Sequence, residues 1–470
     1  MSAVIASLSA VVKDDFHWTT MGEIADVIGG GTPRTSDPQN FEGGDIPWIT
    51  PADLSGYSEK FIAGGNRHIT RKGLESSSAR MLPAGAVLFT SRAPIGYVAI
   101  AKNPIATNQG FKSFVLKDGI LPEYVYWWLK GSKQTAESYA SGTTFLELSG
   151  ANAKKLPIPM VSLARQREIV AEIEKQFSRL DEAVANLHRV KANLKRYKAS
   201  VLKDAVEGRL VPLEAELARR EGRTFETGEQ LLQRILETRK NEWVGRGKYE
   251  QPPAVESGGL TNLPNGWVWA STEQLSTFIT KGTTPAAEKL LDAGTGDVQF
   301  LKVYNLTFDG TLNHTYKPAF VSRATHEGEL LRSQVLAGDV LINIVGPPLG
   351  QVSVVPPTMV EANMNQAIAR FRPIKPLSTK FVAHALMTES IMAWAIRKAK
   401  TTAGQTNLTL DLCRRLPIPL PPLAEQERIV AEVDRRLSLI FGVQTEVDAN
   451  LKRAQALRQS TLSRAFCNRS

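Results

Sequence analysis

Leu156-Pro157-Ile158-Pro159, with Leu163-Ala164, Gln166, Ile169-Val170-Ala171-Glu172 and Ser178 after it, is written a second time 260 residues later. The second writing reads Leu416-Pro417-Ile418-Pro419, Leu423-Ala424, Gln426, Ile429-Val430-Ala431-Glu432 and Ser438. No gap is needed through Ser200, Leu202 and Ala205, which answer Ser460, Leu462 and Ala465. A match of this length makes the chain one structural unit present twice, and the rest of the reading follows from that.

Upstream of each copy the match is looser and its offset drifts, as it does between related domains that differ in loop length. Trp18 pairs with Trp269, Thr32-Pro33 with Thr284-Pro285, and Gly44-Asp45-Ile46-Pro47-Trp48-Ile49 with Gly296-Asp297-Val298-Gln299-Phe300-Leu301. Gly85-Ala86-Val87-Leu88 pairs with Gly338-Asp339-Val340-Leu341, Pro94-Ile95-Gly96 with Pro348-Leu349-Gly350, and Asn108-Gln109 with Asn365-Gln366. The pairs stay collinear along the whole chain, which coincidence of common dipeptides does not produce. Short β-like runs such as 86–90, 97–101 and 340–344, broken by Gly, Pro, Asn and Asp, alternate with helical stretches near 122–130 and 378–400. That mixture predicts an α+β class with loop-rich domains.

The segments downstream of each Leu-Pro-Ile-Pro read as long helices with a coiled-coil seam. Ile173, Leu180, Leu187, Leu194 and Val201 recur every seven residues, with Val170, Phe177 and Val184 at the second seam position. The second copy keeps the register with Val433, Ile440 and Val447, then Val430, Leu437 and Leu451, while Gln444, Ala454 and Thr461 dilute it. Gly208 and Asn468, at equivalent places, suit a helix stop, and Gly442 weakens or bends the second helix by about 1 kcal/mol. Two copies of one unit can be related by a pseudo-two-fold axis, which runs the helices antiparallel. The expected organisation is a recognition domain over 1–158, a spacer helix over 159–209, a charged helical segment and flexible tether over 210–262, a second domain over 263–420 and a second helix over 421–470.

Composition narrows the function. Across 470 residues, 57 Lys and Arg against 47 Asp and Glu give a net charge of +10, which favours a polyanionic partner, nucleic acid first. Two cysteines, Cys413 and Cys467, make neither a disulfide framework nor a CxxC metal site, and a reducing cytoplasm fits best. The six histidines form no HxxH pair, so no metal is expected. The most hydrophobic stretch, 335–355, contains Asp339 and the helix-breaking Gly346-Pro347-Pro348, which excludes a membrane helix. Catalytic constellations are missing: there is no GxxxxGK[ST] phosphate loop, no adenine-methyltransferase motif around 346–348, and no nuclease carboxylate pair with a nearby Lys. Gly29-Gly30-Gly31-Thr32-Pro33 lacks GxGxxG spacing and reads as a tight, backbone-exposing turn.

What remains is loop chemistry suited to base edges. The first domain offers Thr32, Arg34, Thr50, Asp53, Arg92, Asn108 and Gln109. The second offers Lys281, Thr283, Thr284, Lys302, Tyr304, Asn305, Asn343, Asn365 and Gln366. Arg and Lys reach guanine O6 and N7, Asn and Gln pair with adenine N6 and N7, and Thr brings a hydroxyl and a methyl. Singly, each is an ordinary turn residue, and a residue shared by both copies can equally serve the shared fold. The last helical stretch carries Lys452, Arg453, Arg458, Arg464 and Arg469 with no acid after Asp448; cations at a helix C-terminus or a phosphate contact both account for it.

Paired Leu-Pro-Ile-Pro and Ile-Val-Ala-Glu segments, each following a domain with a Gly-Thr-Pro-like turn, a Gly-Asp run and an Asn-Gln dipeptide, resemble the specificity subunits of type I restriction-modification enzymes. The resemblance covers essentially the whole chain. It implies two target-recognition domains, each binding one part of a split double-stranded DNA site, on antiparallel helices that act as spacer and as docking sites for two modification subunits. It also implies that S-adenosylmethionine, ATP and Mg belong to partner methylation and restriction subunits, with no cofactor or catalytic residue on this chain. Ile173, Phe177, Leu180, Leu187, Leu194, Val433, Leu437, Ile440 and Val447 then form the helix seam or partner surface. A stand-alone sequence-specific DNA-binding regulator is the other class that the charge and the two domains allow.

Overall fold

Each Leu-Pro-Ile-Pro segment is a short strand that closes its own domain. Pro157–Met160 pairs antiparallel with His17–Thr20, setting Pro159 opposite Trp18, and Pro417–Leu420 pairs with Val268–Ser271, setting Pro419 opposite Trp269. Proline donates no backbone hydrogen bond, so a two-stranded ribbon with free outer edges is where two prolines fit. The repeat thus ties the last strand of each domain to the first and launches the helix three residues on. The computed structural model describes residues 16–142, 146–243, 248–256, 258–346, 348–402 and 405–466. They fall into two units, 1–189 with 447–470, and 190–446.

Both units carry the same pair of small sheets. In the first, Ala25–Gly29, Lys112–Leu116, Val87–Phe89, Val98–Ala101 and Phe61–Ile62 lie in that order, beside a sheet ordered Arg67–Ile69, Ile46–Ile49, Ala106–Thr107. In the second, Ser276–Lys281, Ile368–Pro373, Val340–Asn343 and Val352–Val354 repeat the order of the first four strands. Phe320–Val321, Val298–Leu301 and Glu361–Met364 repeat the smaller sheet, and Gln334–Leu336 adds a fourth strand to it. In both units the middle strand of the smaller sheet runs parallel to the strand that ends at the Asn-Gln dipeptide. The expected α+β class and internal repeat are therefore present strand by strand.

The long helices are Leu163–Val206 and Leu423–Phe466, 44 residues each. In the first unit Ile169, Val170, Ile173 and Phe177 share a core with Leu462, Ala465 and Phe466. There Phe466 packs edge-on against Tyr124 and Trp128 at 5.2 and 5.3 Å. In the second unit Val201, Leu202, Ala205 and Val206 share a core with Ile429 and Val433. Within each unit, then, the beginning of one helix lies beside the end of the other, which is antiparallel pairing. The compact units divide inside the helices rather than at their ends, because each helix end supplies core to a recognition domain.

Burial along the seam is uneven. Ile173, Phe177, Val201, Val433, Ile440 and Val447 are buried, whereas Leu180, Leu187, Leu194 and Leu437 are half-buried. Ala454 and Thr461, read as diluting the seam, are buried on it, since small side chains at that register let the helices approach closely. Gln444 is exposed. The second helix runs unbroken through Gly442, where a Cβ would meet nothing within 4 Å, so the glycine costs backbone entropy and makes no break. The first helix stops as expected, with Gly208 left-handed at φ +68°; Asn468, Cys467 and Arg469 lie outside the described residues. No described helix is long and apolar enough to cross a membrane.

The charged segment forms helices Glu214–Glu221 and Gly228–Asn241, and the second buries Leu231, Leu232 and Ile235 in the core of the second unit. A buried carboxylate pair fastens it. Glu425, fully buried in the first turn of the second long helix, accepts the Glu214 N–H at 2.9 Å and the Trp267 indole N–H at 3.1 Å. Glu214 itself takes Arg223 at 2.5 Å and Arg428 at 2.7 Å. Most described residues of the expected flexible tether are exposed, as a tether requires, but three points of it touch the second domain. Glu256 pairs with Lys398 at 2.8 Å and Arg415 at 3.6 Å, Pro253 O accepts the Ser271 hydroxyl, and Leu260 and Leu263 cover the core.

Candidate nucleic-acid interface

Motifs far apart in sequence meet at one place in each domain, through the same backbone hydrogen bonds. In the first domain Gly30 N–H donates to Phe111 O and Gly31 N–H to Thr107 O; in the second, Gly282 N–H donates to Ile368 O and Thr283 N–H to Met364 O. Asn108 N–H donates to Ile49 O at 2.9 Å, and Asn365 N–H to Leu301 O at 3.0 Å. Ser91 N–H reaches Gly110 O, and Ile344 N–H reaches Ala367 O. The Gly-Thr turn, the segment after the Gly-Asp run, the Ser-Arg or Asn-Ile strand end and the Asn-Gln dipeptide are thus one loop cluster, present twice.

The glycines there serve close approach, which corrects the reading of residues 29–33 as a backbone-exposing turn. A Cβ on Gly30 would sit 1.9 Å from Asn108 O, and one on Gly282 2.1 Å from Met364 O. Gly31 and Gly282 are buried, while Thr32, Arg34, Thr283, Thr284 and Lys281 next to them are exposed. Glycine lets the turn lie flat on the Asn-Gln segment and turns the adjacent polar side chains outward.

Several of the predicted residues are spent on holding these loops. Asp53 accepts Thr50 N–H at 2.8 Å, the Thr50 hydroxyl at 2.7 Å and Asn66 N–H at 2.9 Å. Partial burial raises its carboxyl, but those donors outweigh it and the net position is below the ordinary carboxylate range. Asn305 does the same work at the matching site: its carbonyl takes Lys302 N–H at 2.9 Å, and its amide reaches Asn313 O and Tyr316 O. Asn343, buried, donates to Pro348 O at 2.7 Å, just as the buried Thr90 hydroxyl donates to Pro94 O at 2.8 Å. Asn108 accepts Gly110 N–H within its own turn, and Thr284 donates to Gln366. Asn305 and Asn343 therefore present no amide to solvent, whereas Gln109 in the first domain and Tyr304 and Gln366 in the second are exposed.

Cations rim both clusters. Arg92 pairs with Glu147 at 3.4 Å, and Lys112 lies 4.0 Å from the same carboxylate with its ammonium lowered by burial. Arg67 stacks over Trp48 and Phe41 at 5.8 and 5.7 Å. In the second domain Tyr304 meets Tyr316 edge-on at 5.8 Å and donates its hydroxyl to Lys317 O. Sequence reading missed Arg67, Tyr316 and Lys317, because the loops that carry them differ between the copies. It also missed that both domains bring a further segment against the cluster: in the first a single bridge joins Ser141 to Glu147, and in the second Lys400–Thr402 pairs with Gln405–Asn407. Leu148 N–H donates to Ser91 O, and Leu408 N–H, 260 residues on, to Ile344 O. Among the described residues no group of three or more His, Cys, Asp or Glu could hold a metal ion.

Arg92→Ala or Lys302→Ala is expected to weaken specific DNA binding by about 1–3 kcal/mol if the side chain meets a base. If it meets phosphate, binding weakens evenly across sequences and the slope of affinity against salt becomes shallower. Titrations at several salt concentrations with matched and scrambled sites decide it; unchanged affinity in both removes that residue from the DNA face.

Two polar loop clusters, built by the same backbone contacts on duplicated α+β domains, define a recognition protein. A family model described as the type I restriction modification DNA specificity domain matches residues 13–196 and again 264–440. The chain belongs to that family. It is 41% identical over 177 residues to the type I restriction enzyme MjaIX specificity subunit of Methanocaldococcus jannaschii, an alignment covering 37% of this chain and 40% of the relative. The match thus spans well under half of that relative's length. It is 23% identical over 466 residues to the EcoBI specificity subunit of Escherichia coli, covering 97% of this chain and 86% of that one. A chain from a solved structure on complex assembly and conformational transition of the type I R-M system shares the fold, with TM-score 0.64, 19% identity and coverage of 97% and 98%.

Proposed function

We propose that this chain reads two separate DNA segments, one with each domain, across a gap of fixed length, and directs adenine methylation and restriction by partner subunits. The observation that carries this reading is the loop cluster made twice, by the same contacts, on domains whose outward-facing residues differ. A shared scaffold with unshared outer side chains is what two readers of different sequences require. The comparisons offer no support for a stand-alone regulator.

Double-stranded DNA is the direct ligand. Two modification subunits dock along the paired helices, and restriction subunits join them in the complete enzyme. S-adenosylmethionine is held by the modification partners, and ATP and Mg by the motor. The reaction therefore takes place in the cytoplasm, with this chain supplying position and no chemistry. Reconstitution tests it. The purified chain is expected to transfer no methyl group and cut no DNA at any concentration, and to confer methylation at a defined sequence when a cognate modification subunit is added. Methyl transfer by the rigorously purified chain alone would refute it.

A further inference from the structure

Gln166 and Gln426 occupy the same position in the two copies, one turn into each long helix, and both are fully buried. A glutamine on a helix is ordinarily a surface residue, so burial of this amide twice asks what it holds. Gln166 Oε1 accepts the backbone N–H of Leu121 at 2.8 Å, and its Nε2 donates to Val161 O at 3.0 Å and Gly119 O at 3.4 Å. Gln426 Oε1 accepts the backbone N–H of Ser378 at 3.3 Å, and its Nε2 donates to Pro421 O at 3.0 Å. Leu121 and Ser378 are the residues that start the helices Pro122–Gly131 and Thr379–Leu386 of the two recognition domains. One side chain therefore bolts the entry of each long helix to the entry of a domain helix.

A second contact lies eight residues further along each long helix, about 12 Å up its axis. Glu174 takes Lys60 at 2.5 Å and the Trp127 indole N–H at 3.4 Å; Asp434 takes Lys380 at 2.5 Å and His384 at 3.6 Å. Trp127 and His384 sit on those same domain helices. Each domain is thus held to its long helix at a buried pivot and a half-exposed strut. The apolar contacts around them, Ile169 and Val170 in one copy and Ile429 in the other, carry more burial but are non-directional and tolerate sliding. Hydrogen bonds weaken steeply when bent, so the amide fixes the angle that the apolar contacts leave free.

We propose that Gln166 and Gln426 are positioning residues that set the angle between each recognition domain and its long helix, and through it the gap between the two DNA half-sites. This rests on the bipartite reading proposed above. Neither glutamine touches DNA, and both half-site sequences are read without them. An amide is required because the site needs an acceptor and a donor from one side chain; a carboxylate or a methionine of similar length lacks one or both.

The test compares Gln166→Met and Gln426→Met with the unaltered chain, each assembled with its modification subunits, on a DNA library containing every gap length. Thermal unfolding of each chain runs alongside. The unaltered complex should methylate one gap strongly. In the variants the preference for that gap over its neighbours should fall by at least about fivefold, the factor worth about one buried hydrogen bond, while both half-site sequences stay the same. If a methionine variant does not fold, Glu174→Ala and Asp434→Ala, which remove the half-exposed strut, decide the matter and should broaden the gap in the same way. Folded variants that keep the sharp original gap overturn the proposal. Variants that lose a half-site sequence also overturn it, by making the glutamine part of base reading. An unaltered complex that methylates no split site at all defeats the bipartite reading itself.

Discussion

Replacing residues 20–150 with the equivalent domain of a relative should change one half of the methylated sequence and leave the other half as it was. The exchanged stretch carries the whole first loop cluster, from the Gly30 turn to the Asn108-Gln109 dipeptide and the 141–147 bridge. It leaves in place the Pro157–Met160 strand and the buried start of the long helix. The second cluster is assembled only from residues beyond 280, on its own sheets and its own core. Each wrong base pair costs a reader about 1–3 kcal/mol, so over a few contacted pairs the original half-site should lose its preference by orders of magnitude. Sequencing of methylated genomic DNA reads the outcome. A change in both halves would mean that the domains do not read independently.

Lengthening both long helices by four residues, after Val190 and after Asn450, should move the gap and nothing else. At about 1.5 Å per residue the insert adds about 6 Å, somewhat under two base pairs at about 3.4 Å each. Four residues turn a helix only about 40° beyond one full revolution, so Ile173, Val433 and the rest of the seam stay near register. The favoured gap should widen by one or two base pairs. Because DNA itself turns by roughly 34° per base pair, some loss of affinity should accompany the shift. An active variant that retains the original gap would show that the helices do not set it.

Much of this fold was legible because its periods are long and its landmarks rigid. The Leu-Pro-Ile-Pro repeats fix where each domain closes, and the seven-residue spacing from Ile173 to Val201 fixes helices that run from Leu163 to Val206 and from Leu423 to Phe466. Less was legible at the loops. Asn305 and Asn343 have the chemistry of base readers, and only three-dimensional contacts reveal that their amides are consumed by neighbouring carbonyls. Gly30 and Gly282 looked like turn residues, yet their role is steric, set by Asn108 and Met364 far along the same chain. Gln166 stood in the repeat as one matched letter among many. Its partner, Leu121 N–H, belongs to the backbone and leaves no trace in the side-chain sequence. Glu425 answers Arg165 in the other copy, and its buried role arises only where the 214–221 helix docks.

One chain that reads two separate DNA blocks must select both from a mixture of sequences. Selection from a random duplex library by the assembled complex, followed by sequencing, tests it directly. The expected result is two short blocks of fixed sequence separated by an unselected gap of one length. Enrichment of a single contiguous block, or of two blocks at freely varying distance, would contradict it.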